Sequence, residues 1–600
     1  MKFFTTNEIK PTGWLKRQLE IQANGLSGNL DKIWNDIKNS AWVGGDCEGW
    51  ERVPYWLDGF IPLAYLLDDE DMKCRAKKYV DAILANQKAD GWICPCSDEE
   101  QGRYDVWACF LICKALVLYA DCSGDERIES AVSGALKNLN KHIRTHTLFD
   151  WGSSRWFECL IPIIWLYERN PEDWMLDLVQ KLQVQGIDYE KVYNNWRYAE
   201  RRDSWSFINH VVNTAMMLKS SALMSYFDGG NPNEFAKKAM EILLRDHGMA
   251  CGHFTGDECL SGLSPIHGSE CCSVAEAMYS YEWLVALTED SYWSERLEMT
   301  AFNAFPATVS PDMWTHQYDQ MTNQVQCVRF PDGKQPFDTN GEESHLFGLE
   351  PNYGCCTANF NQAFPKFALS VFMKTNNGFA VAAIAPSKLK TESCSAELVT
   401  DYPFDDGYIL KIKSDTHENF DVVLRIPENA VNPTVNGEKA ESGFYKISKD
   451  WYGETQIKVD FSFETKLVER PNDMYCVQRG NLVFALPVGE RWEKREYTDN
   501  GVERKFPYCD YEIFPTTKWS YALANSRFEV VKSNIKDFPF SPDGAPLRIK
   551  AEAVPVKWEI HHGACTEKPE SLNPEGEAET IELIPYGCTN LRVTEMPYIR

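Results

Sequence analysis

VWACFLICKALVLYAD (106–121) is apolar on nearly every face. A helix at a protein surface carries a single apolar stripe, so this pattern predicts an inner helix covered on both sides. DMKCRAKKYVDAILANQ (71–87) reads differently. It sets Cys74, Ala76, Tyr79, Ile83 and Leu84 at mixed three- and four-residue spacing, as a helix with one buried face would. HVVNTAMMLKSSALMSYF (210–227), FAKKAMEILLRDH (235–247) and CCSVAEAMYSYEWLVAL (271–287) are further helical stretches. Clusters of Gly, Pro, Asn and Asp separate them (GDCEG, KADGW, DCSGD, DGGNPN). Many helices in series, joined by loops rich in Trp and charge, predict a toroid of helical hairpins, the (α/α)6 barrel. No internal repeat points to a solenoid.

The period changes to two near residue 375. FAVAAIAPS, GYILKIKS, FDVVLRIP, GFYKIS, TQIKVDFSF, NLVFALPV, LRIKAEAVPVKWEI and ETIELIPYG alternate or form short apolar runs. VNGE (435–438) is a hairpin turn signal. Sixteen of the 20 tryptophans and 15 of the 20 cysteines precede residue 375, so composition shifts at the same place. The expected fold is mainly α plus β. Residues 1–375 form an (α/α)6 barrel; 376–470 and 471–600 form antiparallel β-sandwich domains. The opening FFTTNEIKP is expected to add a strand to one of them.

Six hundred residues amount to roughly four domain equivalents. With 61 Lys+Arg against 88 Asp+Glu the net charge is −27. That balance disfavours nucleic acid and anionic membranes, both of which need clustered cations. No apolar run approaches the roughly 20 residues of a membrane span. The segment MKFFTTNEIKPTGWLKRQLEIQ has neither an apolar core of signal-peptide length nor a small-residue cleavage site, so a cytoplasmic location is expected. In a reducing compartment the 20 cysteines should be thiols, most of them buried.

Two cysteine pairs stand apart. HGSECCSVAEAMYSYEWL carries Glu270, Cys271 and Cys272 at the start of a helix, and PNYGCCTANFNQAFPKF carries Cys355 and Cys356 at the start of another. Adjacent cysteines rarely bond to each other, because an unstrained disulfide needs a different geometry. They can share one soft metal. Glu270, Cys272, Cys355 and Cys356 would make a tetrahedral set of three sulfurs and one oxygen, suited to zinc. The plain alternative is four buried thiols in a cysteine-rich chain. Glu258, in the Gly-bounded loop FTGDECLSG, is a candidate general acid if burial raises its pKa; otherwise it is a solvated loop carboxylate. His210 opens an apolar helix, as a ligand or as a helix-end histidine. MWTHQYDQMTNQVQ (313–326) holds Trp314, Gln317, Tyr318 and Asn323, the residue types that line sugar sites. WERVPYWLDGF (50–60) adds Trp56 and Asp58 to Glu51, Arg52 and Tyr55, and RYDVW (103–107) adds Asp105 and Trp107.

An SGDE-type loop (FTGDECLSG), GSECC and YGCCTANFNQAFPKF resemble the motifs of the β-L-arabinofuranosidase-like glycoside hydrolases, family 127 and its relatives. WERVPYWLDGF, NHVVNTAMMLK and MWTHQYDQMTNQ resemble motifs of one branch of that group. The resemblance runs from about residue 10 to at least 370, with the motifs in the expected order. It implies an (α/α)6 catalytic barrel followed by β-sandwiches, and a zinc ion held by one Glu and three Cys. The family's Glu-x-Cys falls on Glu270 and Cys272, and its Cys-Cys on Cys355 and Cys356. Cys355 matches the nucleophile. Glu258 matches the acid/base, on a loop of shorter spacing than in the best-known members. His210 matches a sugar-binding histidine. Another such histidine would fall near Asp105 and Trp107, where this chain has none.

The resemblance implies a retaining, exo-acting β-L-arabinofuranosidase. Sulfur replaces the usual carboxylate nucleophile, zinc keeps the thiol deprotonated, and helix N-termini after both cysteine pairs add partial positive charge. The expected partners are a small oligosaccharide or glycoside and a second copy in a homodimer. Three alternatives stay open. One is a furanosidase for a different pentofuranose or pectin-derived sugar. Another is a sugar epimerase or unsaturated-uronide hydrolase, and the third is a non-catalytic carbohydrate-binding protein.

Overall fold

The computed structural model describes residues 1–499 and 501–599. Its first half is helical. Helices covered on most faces alternate along the chain with helices that keep one face in water. The covered ones are Arg52–Leu66, Trp107–Ser123, Leu160–Arg169, Val211–Met217 with Ser220–Asp228, Cys271–Thr288 and Ala363–Leu369. Glu70–Asn86, Arg127–His142, Asp173–Gln185 and Glu234–His247 are striped, with buried positions three and four apart. The all-apolar stretch at 106–121 is thus a covered helix, and 71–87 a striped one.

One expected helix is two. The stretch 210–227 breaks at Lys219, whose amide bonds Met216 O instead of the carbonyl four residues back. Its side chain is fully buried, with the ammonium paired to Glu158 and 3.3 Å from Ser280 Oγ. Periodicity reads apolar positions and does not see a lysine drawn inward by a buried carboxylate.

The second half is strand. One ten-stranded sheet is built on the antiparallel pair Tyr408–Ile426 and Gly443–Ser462. Val431–Val435 and Glu438–Lys439 form the hairpin at VNGE, with Asn436 and Gly437 both left-handed (φ 51° and 83°), as a two-residue turn requires. The N-terminal segment does add strands. Lys2–Phe3 pairs with Phe372–Thr375, and Ile9–Pro11 with Ser387–Lys390. The sheet is not wholly antiparallel, because Gly378–Val381 runs parallel to Tyr408–Ile426. That crossover is possible because the chain leaves through the strands Ser387–Lys390 and Ser395–Val399 before returning. The second ten-stranded sheet takes its main strands from Thr465–Arg470 onward and captures Asn323–Gln324 from the helical half against Arg592–Val593.

A continuous apolar core runs from Phe4 to Met596. Trp14 shows how the halves join. Its ring meets Phe302, Phe404 and Phe540 edge-on, and its Nε1 donates to Tyr402 O at 2.9 Å. All 20 cysteines are free thiols. Among the described residues no helix is long and apolar enough to cross a membrane.

Candidate active site

Glu270 ends the short strand Gly268–Glu270, which pairs antiparallel with Asp319–Met321. Cys272 follows in the first turn of Cys271–Thr288, and that turn is pinned by Cys271 N donating to Tyr318 O (2.8 Å). Cys355 and Cys356 open a five-residue helix, Cys355–Asn359. Glycine is needed just before it, since a Cβ on Gly354 would lie 2.7 Å from Trp34 and Glu350. Segments 83 residues apart in sequence thus meet. One ligand atom from each of Glu270, Cys272, Cys355 and Cys356 lies within 4.8 Å of the others. Glu270 Oε1 is 3.8 Å from Cys355 Sγ and 3.7 Å from Cys356 Sγ.

These residues fit a zinc ion. Glu270 Oε2 is buried with no hydrogen-bond partner. Burial, then the neighbouring Glu258, Cys355 and Asp319, push the Glu270 carboxyl well above the usual range. A carboxylate among thiolates in a dry site is costly, and a divalent cation between them removes that cost. Three sulfurs and one oxygen make a set that suits zinc over harder cations.

Cys355 is the member of the set that is only partly buried, and it lines the adjoining cavity of about 290 Å³. Hydrogen bonds from the Cys272 and Cys356 thiols hold the Cys355 thiol well below its ordinary range, aided by the Arg52 charge and Tyr318. The other wall carries Glu258. Its Oε2 is 2.8 Å from His210 Nε2, and its Oε1 accepts from Tyr318 Oη at 2.5 Å. The same Tyr318 Oη is 3.6 Å from Cys355 Sγ. Thiol and carboxyl therefore lie no further apart than those last two distances laid end to end. The Glu258 loop is held by its neighbour Asp257, whose Oδ2 accepts from the Asp338 and Thr339 amides (2.6 and 3.2 Å).

The side wall is cationic and aromatic. Arg155 lies between the faces of Trp107 and Trp151, 4.7 and 4.3 Å from the ring centres. It donates to Asn213 Oδ1 (2.7 Å) and Tyr55 Oη (3.2 Å). Glu51 links it to Arg52, at 3.6 and 2.6 Å.

His210 and Tyr318 line the cavity, as do the cysteines and glutamates expected there, apart from Cys356 behind them. The other residues read as sugar contacts do not. Asp105 and Trp107 stand one layer back. The Asp105 carboxylate accepts from the amides of Trp107, Trp151 and Gly152 (2.9–3.0 Å), and Trp107 Nε1 donates to Glu51 (2.9 Å). Trp56 stacks on Phe60 and donates to Ser27 O. Asp58 is fully buried between Lys366 (2.6 Å) and Lys114 (3.2 Å). Gln317 Nε2 donates to His345 O (2.6 Å), Asn323 Nδ2 donates to Glu595 O (2.9 Å), and Trp314 packs on Tyr508. For all but the half-buried Trp314 the reason is the same: their amides, indoles and carboxylates took backbone or ionic partners inside the fold. Arg155, Trp151, Trp205, Thr339 and Tyr353 line the cavity without having been singled out. Of these only Tyr353 carried a signal, two residues before Cys355.

Residues 380–463 match the family model described as the β-L-arabinofuranosidase, GH127 middle domain. Three solved structures share the fold over nearly the whole chain. A GH127 β-L-arabinofuranosidase from Geobacillus stearothermophilus T6 is 16% identical, with a TM-score of 0.72, over 98% of this chain and 100% of its own. A GH127 β-arabinofuranosidase is 14% identical, TM-score 0.69, over 100% and 98%. A structure described only as a glycoside hydrolase is 14% identical, TM-score 0.67, over 100% and 97%. No curated protein sequence matches the chain.

Proposed function

We propose that the chain is a glycoside hydrolase of the family 127 type, a retaining, exo-acting β-L-arabinofuranosidase with Cys355 as nucleophile and Glu258 as general acid/base; the match of residues 380–463 to the GH127 middle-domain model supports the reading. The observation that carries the reading is Tyr318 Oη, 2.5 Å from Glu258 and 3.6 Å from Cys355. It sets the two groups across the cavity at a span compatible with the roughly 5–5.5 Å of retaining pairs.

In the first step Cys355 Sγ attacks the anomeric carbon. The glycosidic C–O bond breaks as Glu258 gives its proton to the leaving oxygen. In the second step water attacks the same carbon and gives a proton to Glu258. The C–S bond breaks, the thiolate is restored, and the sugar leaves with its configuration retained. Glu270, Cys272, Cys355 and Cys356 would hold the zinc ion, which supplies positive charge that keeps the cysteines deprotonated at neutral pH. His210 and Tyr318 orient the Glu258 carboxyl through its two oxygens.

The alternation of covered and striped helices supports an (α/α)6 toroid over residues 1–375, with the site at one end of its inner helices. Residues 376–470 and 471–600 supply the two sheet domains in this reading. The test is hydrolysis of an aryl β-L-arabinofuranoside followed by proton NMR. Release of the β-anomer first, by protein carrying about one zinc, is expected. An α-anomer, or turnover unaffected by Cys355→Ala, overturns the mechanism.

A further inference from the structure

The cavity of about 290 Å³ lies at the small end of ligand sites, room for one sugar ring. The rest of a glycoside must lie at the mouth. Two large aromatic side chains stand there with much of their surface in water: Trp205, 44% exposed, and Tyr353, 55% exposed. Exposed rings of this size leave apolar area uncovered, and both are held in place. Trp205 packs edge-on against Phe207 and Trp151, with ring centres 4.6 and 5.8 Å away. Tyr353 meets Tyr318 edge-on at 5.8 Å.

Their positions relative to Glu258 are the telling feature. Glu258 has two side-chain partners, His210 on one oxygen and Tyr318 on the other. Trp205 packs on the first, at 5.8 Å between ring centres, and Tyr353 on the second. Each exposed ring is therefore one contact removed from the carboxyl that protonates the leaving oxygen, one through the partner of each of its oxygens. The leaving group must emerge on the Glu258 side of the cavity.

We propose that Trp205 and Tyr353 form a leaving-group subsite that stacks on the CH face of a second sugar ring, so that the preferred substrate is a glycoside of a sugar and not of a small alcohol. A ring against Trp205 or Tyr353 would cover apolar surface on both partners, while its hydroxyls stay in water at the rim. This rests on the furanosidase reading above.

The experiment compares two substrates with the same glycosyl group. One is an L-arabinofuranosyl disaccharide, whose second ring would occupy the subsite. The other is the L-arabinofuranosyl fluoride, which has no ring to place there. The readout is the ratio of their kcat/KM values. Trp205→Ala and Tyr353→Ala should each lower the disaccharide-to-fluoride ratio about fivefold, mainly through KM for the disaccharide. Trp205→Phe, which keeps a stacking face, should restore most of it. An unchanged ratio in both alanine variants overturns the subsite, and so does an equal loss on both substrates, which would mean only structural damage. If the unaltered protein hydrolyses neither substrate, the furanosidase reading itself fails, an outcome separate from either of these.

Discussion

At the scale of single residues the proposed reaction rests on one thiol and one carboxyl. Cys355→Ala is expected to lower kcat by about 10³-fold or more with the far-UV circular dichroism unchanged. Comparable turnover in that variant refutes the nucleophile. Glu258→Gln should cost about 10²–10⁴-fold on a disaccharide and much less on an aryl glycoside whose leaving group needs little protonation. Equal losses on the two would remove its acid role. Asp105 carries a pH dependence of its own. Burial pushes its carboxyl up to about 6 from an ordinary 3.8, although the amides of Trp107, Trp151 and Gly152 favour the anion. A raised acid stabilises the fold below pH 3.8 and loses that contribution as pH rises through 6, about 3 kcal/mol in all. In Asp105→Asn the decline in stability between pH 4 and 6 should be shallower by that amount, read from urea midpoints across the range. Asp105 was legible as a notable residue from RYDVW, yet its role was not. A carboxylate that binds sugar and one that pins a loop carry the same groups, and only the three amides around it distinguish them.

At the scale of elements the site depends on how closely helix Arg52–Leu66 approaches the segment that follows Cys355 and Cys356. A Cβ built on Gly59 falls 2.3 Å from the Asn361 carbonyl carbon, so no larger residue fits without parting the two. Lys366 ties the same elements with its ammonium, 2.6 Å from Asp58 and 2.7 Å from Gln362 Oε1. Gln362 in turn donates to Glu276 (2.9 Å), one turn beyond Cys272. Gly59→Ala is expected to destabilise by about 1–3 kcal/mol. It should also speed zinc loss to a chelator, followed with a colorimetric zinc dye. Loss at the native rate would show that this contact does not position the metal ligands. The helices themselves were readable. The covered pattern at 106–121 and the striped one at 71–87 match Trp107–Ser123 and Glu70–Asn86. The break at Lys219 was not readable, because its cause is Glu158 on another helix.

At the scale of the whole molecule the C-terminal sheet reaches back to the polar stretch that carries Tyr318. Arg592–Val593 pairs with Asn323–Gln324, and Asn323 Oδ1 accepts from the Thr594 and Glu595 amides (2.8 and 2.9 Å). Tyr318 lies five residues earlier on the same polar stretch. Deleting the chain from residue 590 onward should therefore lower the thermal midpoint and abolish activity together, measured on the purified protein. Full activity in the truncated protein would show that the sheet only borders the helical half. Removing zinc should act differently. Chelation is expected to end turnover while circular dichroism stays as it was, because the contacts that join the halves around Trp14, with Phe302, Phe404, Phe540 and Tyr402, include none of the four ligands.

The sequence by itself determined the kinds of element, the change of period near 375, the hairpin at VNGE and the four residues able to bind a soft metal. Each of these is local, or follows from the chemistry of a residue type. Only the tertiary structure decided that Cys272 and Cys355 meet. It alone showed that Tyr318 bridges Glu258 and the thiol, and that Arg155, Trp151, Trp205 and Tyr353 complete the wall. It also turned Trp56, Asp58, Gln317 and Asn323 from sugar contacts into buried partners of the chain's own backbone and ions. Periodicity states that a face is covered and leaves open what covers it. A polar side chain shows its hydrogen-bonding capacity in sequence, but whether the fold or a ligand uses that capacity depends on neighbours tens or hundreds of residues away.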